Sequence, residues 1–281
     1  MNKAMDIERS IIKKFRKPIW SRFIRGITAY DMIAPGDKIA VCISGGKDSM
    51  LLAKLMQEIH RHGKMSFEPV FLCMDPGYND LNRRMIERNA KLMNIPVQFF
   101  ESEIYDAVAT MDANPCYMCA RMRRGHLYKF AQSLGCNKIA LGHHFDDVIE
   151  TTLLAVLYNG QFKTMMPKLR STNFKGMELI RPMYMIKEPD IIDWMKFNAL
   201  TFIQCACRLT ENCVIGQGGG SKRAEMKLLV SKMRKANPIL DNNIFRSIHN
   251  VNLNTVIGYA CDGVEYAFPD FYNAPERLQS R

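Results

Sequence analysis

The chain has 281 residues, 47% of them hydrophobic, with 39 Lys and Arg against 28 Asp and Glu and a formal net charge of +11. That apolar share excludes wholesale disorder and suits one α/β domain with additions or two small domains, and no run approaches the roughly 18–20 apolar residues that span a bilayer. The positive excess favours a polyanionic partner, because each neutralised phosphate releases counterions, although a basic protein without such a partner stays equally open on charge alone.

In chain order, the first thirty residues read as a basic helical arm. Ile7, Ile11, Phe15, Phe23 and Ile27 recur at multiples of four with Lys13, Lys14, Arg16, Lys17, Arg22 and Arg25 between them, and Pro18 should kink or divide the helix. The arm either packs on its own domain with a solvated basic face or offers that face to RNA. Strands and helices then alternate: strand 38–43 (KIAVCI), helix 48–60, strand 69–74 (PVFLCM), helix 81–93 and strand 97–100. A loop holding Pro115–Cys119 opens a basic helix to Leu134, followed by strand 138–141 and helix 146–157. Repeated units of this kind predict an α/β fold, a doubly wound parallel sheet with helices on both faces. Ligands in such sheets bind beyond the carboxyl ends of the strands, where the connectivity reverses. After Leu179 come a short strand near Ile180, a helix over 189–197, an extended 201–203 and, past the turn QGGGS, a helix over 222–236. The expected division is an arm over 1–32, a nucleotide domain over 33–210 and a C-terminal helical extension over 211–281.

Met1–Lys14 has no apolar core of an export signal, so a cytoplasmic location is expected. Nine cysteines in such a chain should be thiols or metal ligands, not a disulfide framework. Cys116 with Cys119, and Cys205 with Cys207 and Cys213, form groups, with Cys136 not far off in sequence. Cys42, Cys73 and Cys261 sit among apolar neighbours and read as small hydrophobes.

Ser44-Gly45-Gly46-Lys47-Asp48-Ser49 follows the first strand and opens a helix. Its glycines let the backbone turn and aim N–H groups at an anion, the helix N-terminus adds positive potential, and Ser44 and Ser49 add hydroxyls. The spacing is not that of a Walker A loop. It matches the S-G-G-x-D-S signature of the PP-loop ATP pyrophosphatases, which cleave ATP between the α and β phosphates and adenylate an oxygen of their substrate. Met74-Asp75 ends the second strand, where backbone groups suit adenine and the Asp75 carboxylate can reach ribose or polar backbone. Gly142-His143-His144-Phe145-Asp146-Asp147 ends the fourth strand. Its glycine permits close approach, and an aspartate there can bind Mg²⁺ beside phosphate oxygens. Adjacent histidines at a strand end point in different directions, which disfavours a shared metal.

The runs SGGKDS, PCYMCARMRRGHLYKFAQSLG, KIALGHHFDDVIET, MMPKL and IRPM, with a cysteine after FIQ, stand in the order of the tRNA 2-thiocytidine synthetases. The chain resembles that family from about Phe15 to Asn250. The resemblance implies an ATP-dependent tRNA sulfurtransferase that uses ATP, Mg²⁺ and a [4Fe–4S] cluster on three cysteines, with the fourth iron free to take a sulfide. By that likeness Cys116 and Cys119 are two ligands and Cys205 the third. The family's Pro-Cys-x-x-Cys is replaced here by Gln204-Cys205-Ala206-Cys207, so Cys207 is the alternative third ligand, and Cys213 could close the cluster. Ser44, Gly45, Gly46, Lys47, Asp48 and Ser49 would grip pyrophosphate, Met74, Asp75, Arg123 and Gly142 would face ATP, and Asp147 would be the acidic residue near the reacting centre.

The implied chemistry adenylates the C2 oxygen of a pyrimidine, taken as a cytidine of the anticodon loop, and then replaces it with sulfur. Expected partners are tRNA and a sulfur donor (a cysteine desulfurase or free sulfide), with no membrane and with a homodimer left open. Arg121, Arg124, Lys163, Lys168 and Arg170 join the arm as candidates for phosphate contacts, each as readily ordinary solvated charge. Three competing readings stand beside this one: 2-thiouridine synthesis, a PP-loop ligase on another acceptor that needs no clustered cysteines, and a zinc-stabilised RNA-binding protein without catalysis.

Overall fold

The N-terminal arm folds as α1 (Lys3–Ile12) and α2 (Ser21–Ala29), joined by a π-helical segment at Arg16–Trp20. The computed structural model describes residues 3–63, 65–102, 115–203 and 222–272, with 115–120 and 271 by backbone alone. Pro18 lies inside the π segment, where it can give no N–H to the ladder. The turn widens there, and the Phe15 carbonyl accepts from both Ile19 N–H (2.9 Å) and Trp20 N–H (3.3 Å). The proline therefore divides the arm without turning its apolar face away, and Ile7, Ile11, Phe15, Ile19, Phe23 and Ile27 are all buried. A buried cation anchors the arm: Lys54 of α3 (Lys47–His62) donates to Gln57 Oε1 (2.8 Å) and the Met93 carbonyl (2.9 Å) and pairs with Glu8. Of the arm's cations, Arg22 pairs with Asp190 and Lys14 lies 3.7 Å from the Phe197 ring centroid. Lys13, Arg16 and Lys17 are exposed.

Six strands form one sheet: β1 (Lys38–Ile43), β2 (Glu68–Asp75), β3 (Val97–Glu101), β4 (Lys138–Ala140), β5 (Lys168–Arg170) and β6 (Glu178–Ile180). Their order is β3-β2-β1-β4-β6-β5, parallel throughout except for β5, which pairs antiparallel with β6 at the edge. Alternation along the strands sorts two cores. Ala40, Cys42, Val70, Leu72, Ile139 and Leu179 join Tyr128 and Ala131 of α5 (Pro115–Ser133), while α3 packs against β1 and β2. The remaining helices of this part are α4 (Asp80–Leu92), α6 (Phe145–Asn159), α7 (Glu188–Phe197) and α8 (Lys222–Ala236). The doubly wound sheet is the one expected, with boundaries displaced by a residue or two, except that α5 already begins at Pro115, inside the segment expected as a loop. Strand β5 was not foreseen. Its three residues are too few to show a period, and pairing with β6, Leu169 opposite Leu179, creates it.

The chain divides into two compact units, Met1–Lys232 and Met233–Arg281. The second holds α9 (Leu240–Ser247), a hairpin of β7 (Gly258–Cys261) and β8 (Val264–Ala267), and α10 (Phe268–Tyr272). Asp262 (φ 53°) and Gly263 (φ 80°) make its turn, the pairing of positive φ values that a type I′ hairpin requires. The expected helical extension thus also carries a hairpin. Among the described cysteines Cys42, Cys73 and Cys136 are buried, the first two as expected, while Cys261 is exposed on β7, against its reading as a small core hydrophobe. Among the described residues no helix is long and apolar enough to cross a membrane.

Candidate nucleotide site

The strand order reverses between β1 and β4, so the loops leaving these two neighbours diverge and open a crevice. SGGKDS leaves β1 and GHHFDD leaves β4. Gly45 has φ +81°, and a Cβ there would stand 2.5 Å from Ile86 Cγ1 and 2.7 Å from Ile203 Cδ1, so conformation and space both demand glycine. The Ser49 hydroxyl closes the loop, donating to the Gly46 carbonyl (3.0 Å) and accepting from Ser44 N–H (3.1 Å). A Cβ on Gly142 would stand 3.1 Å from both Asp48 C and Ser49 N. The close approach expected of this glycine is therefore to the backbone of the phosphate loop.

A cavity of about 300 Å³ opens over the crevice, lined by Ser44, Asp48, Ser49, Met74, Arg123, Gly142, His143 and Asp147, with Cys42, Leu127 and Leu141 as apolar wall. Residues of three strand ends and of α5 thus meet in one place. Lys47 turns aside: its Nζ donates to Asp48 Oδ2 and Glu188 Oε1, 3.0 Å each, and it borders a second cavity of about 420 Å³. Asp75 Oδ1 accepts from Gly77 N–H (2.9 Å) and Tyr78 N–H (2.7 Å), and Oδ2 from Arg83 Nη1 (2.7 Å). Burial would raise its pKa, but these donors outweigh burial and hold it below the usual range. Of its two expected roles, Asp75 here takes the one toward backbone and shapes the turn beside Met74.

Asp147 is held at both oxygens. Oδ2 accepts from His144 N–H (2.8 Å), and Oδ1 from Arg223 of α8, which also lies 3.4 Å from Glu150 Oε2. One turn further, Lys227 donates to Glu188 Oε1 (2.8 Å). Burial acts to raise the Glu188 pKa, yet hydrogen bonds from Lys227 and Lys47 bring it down to about 2. These ion pairs clasp α8 across Asp147 and Glu188. Sequence reasoning missed Arg223, Lys227 and Glu188, since charges on a basic helix carry no signal distinct from solvation.

The two histidines diverge, as adjacent residues should. His144 is buried at the start of α6. His143 borders the cavity, and its Nδ1 accepts from Arg181 Nε at 3.3 Å. Arg181 is buried and also donates to the Met166 carbonyl. Burial first, and Arg181 second, press the His143 pKa down to about 4. Among the described residues no group of three or more His, Cys, Asp or Glu is arranged to hold a metal.

The candidate cluster ligands lie outside the described side chains: Cys116 and Cys119 are seen only as backbone at the start of α5, and Cys205, Cys207 and Cys213 fall within 204–221. Their neighbours are described. Arg123, one helical turn or about 6 Å beyond Cys119, reaches the cavity wall. Ile203, two residues before Cys205, is buried against Gly45, and the chain returns at Arg223 beside Asp147.

Residues 13–209 match the PP-loop domain family. A tRNA-cytidine(32) 2-sulfurtransferase of Coxiella burnetii (strain Dugway 5J108-111) is 35% identical over 246 residues, covering 85% of this chain and 91% of its own. Another, from Citrifermentans bemidjiense, is 31% identical over 238 residues, covering 83% and 90%. Among solved structures the chain is similar to the U34-tRNA thiolase NcsA from Methanococcus maripaludis with its [4Fe–4S] cluster, at a TM-score of 0.64 and 19% identity, over 90% of this chain and 87% of that one. At that identity the likeness is one of fold.

Proposed function

Since the chain belongs to the tRNA-cytidine 2-sulfurtransferase family of PP-loop proteins, we propose that it replaces the C2 oxygen of cytidine 32 in tRNA with sulfur, using ATP. One convergence carries this reading: Arg123, a turn beyond Cys119, lines the nucleotide cavity, and Ile203, two residues before Cys205, packs on Gly45 of the phosphate loop. Adenylation and sulfur delivery can then share one pocket.

The N–H groups of SGGKDS and the N-terminus of α3 hold the β- and γ-phosphates, with Met74 at the adenine end and Arg123 at the α-phosphate. The C2 oxygen attacks the α-phosphorus, the bond to the β-phosphate oxygen breaks, and pyrophosphate leaves with its charge on the loop. The former carbonyl oxygen now departs with AMP. Asp147, fixed by His144 N–H and Arg223, orients the base against the phosphorus. The target base must leave its stack, which an unpaired loop makes cheap. Asp48 Oδ1, buried and without a hydrogen-bond partner among the described residues, suits Mg²⁺ held jointly with phosphate oxygens. A [4Fe–4S] cluster on Cys116, Cys119 and Cys205 would supply the sulfide that takes the oxygen's place, and cysteine thiols are the donor type that such a cluster takes.

Nucleosides from tRNA of a strain lacking the chain test the reading. Loss of 2-thiocytidine, restored by the wild type and not by Asp48→Ala or Cys119→Ala, is expected; unchanged 2-thiocytidine overturns it, and loss of 2-thiouridine redirects it to another base. Iron content separates the third-ligand candidates, falling in Cys205→Ala and not in Cys207→Ala.

A further inference from the structure

His143, half-buried at the cavity wall, and the buried Arg181 that contacts it have no task in the reaction as described. Arg181 follows β6, His143 follows β4, and these strands are neighbours in the sheet. Arg181 is 8% exposed, and no carboxylate of the described residues pairs with it. Its guanidinium donates instead to neutral acceptors, the Met166 carbonyl and His143 Nδ1. A buried cation without a counter-charge is expensive, and burial lowers its pKa to about 10. Such a group is a standing source of positive potential, and it contacts His143, which lines the cavity.

The contact also fixes the imidazole. Guanidinium can only donate, so His143 Nδ1 must accept, and the ring proton sits on Nε2. The edge left for the cavity is therefore an N–H donor. Burial and Arg181 hold the ring neutral, with a pKa of about 4, while the Asp147 carboxylate works weakly the other way and Arg223 and His144 oppose it.

We propose that His143 is a further catalytic residue, whose Nε2–H donates to the α-phosphoryl group of the nucleotide, and that Arg181 is the positioning residue that sets its tautomer and polarises it. This rests on reading the cavity as the ATP site. Negative charge on the α-phosphoryl oxygens rises as the C2 oxygen attacks, so a fixed donor there binds the transition state more strongly than bound ATP. A role limited to pinning β4 to β6 predicts a loss of stability instead.

The test uses the cluster-loaded full chain, with ATP binding and tRNA-dependent pyrophosphate release measured separately. His143→Ala should lower kcat by about 100-fold while the ATP Kd moves less than about threefold. His143→Gln, whose amide both accepts from Arg181 and donates onward, should recover kcat to within about tenfold of wild type. Ring ¹⁵N spectra of the unvaried protein should show the Nε2–H tautomer for His143, which decides the matter even if the alanine variant fails to fold. An unchanged kcat in His143→Ala, no rescue by Gln, or the Nδ1–H tautomer overturns the proposal. Wild-type protein that binds no ATP, or binds it equally well as Asp48→Ala, instead overturns the reading of the cavity.

Discussion

At the scale of single residues, the phosphate loop is controlled by where a methyl group fits. Gly45→Ala would place a Cβ against Ile86 and Ile203 at a positive φ. It should lower stability by about 2 kcal/mol or more and abolish ATP binding, read by thermal unfolding and nucleotide titration. Gly142→Ala has no such backbone strain, but its Cβ would press on the Asp48 and Ser49 backbone. ATP affinity should fall about tenfold, roughly 1.4 kcal/mol, with little change in unfolding temperature. The need for glycine at both positions was legible in the motifs; its cause was not, because Ile86, Ile203 and the partner loop lie far away in sequence. Asp75 differs, since its partners lie only two to eight residues away. Its sequence offered ribose or backbone, and only Arg83 and the turn at Gly77 and Tyr78 determined which it meets here.

At the scale of elements, the N-terminal arm and α8 are held by buried or half-buried charge. Glu8→Gln would leave Lys54 without its carboxylate partner from α1, and the arm should lose about 3 kcal/mol, measured by denaturant unfolding and by exchange of α1 amides. The helical period of the arm was visible from spacing alone, whereas Ile19 joined its buried face only because the π turn at Pro18 kept the chain in register. The clasp on α8 depends on pH with a definite sign. Glu188 falls from an ordinary 4.5 to about 2 in the folded chain, so its stabilising contribution is full above the ordinary value and is lost as pH drops toward the folded one. Protection factors of amides in the first turns of α8, which correct for the slower intrinsic exchange in acid, should be lower at pH 3 than at pH 6. Lys227→Met, which removes one donor, should raise the midpoint of that acid transition.

At the scale of the whole molecule, the positive excess becomes useful only where the fold leaves it exposed. Arg22 and Lys14 are occupied by Asp190 and the Phe197 ring, and Lys168 and Arg170 lie near Glu178, while Lys13, Arg16 and Lys17 remain open to solvent. Replacing these three by Gln should leave ATP binding intact and reduce the salt dependence of tRNA binding by about 2 in slope, measured over a range of salt concentrations. By itself the sequence determined the strand–helix alternation and the phosphate loop, since turn, glycine freedom and helix start act within a few consecutive residues. It also determined which cysteines are grouped. Tertiary structure alone decided that Arg223 meets Asp147, that Arg181 contacts His143, that Ile203 covers Gly45 and that three residues at Lys168–Arg170 become a strand. Each of these joins groups from distant parts of the chain, where a sequence records charge or polarity and only packing supplies the partner.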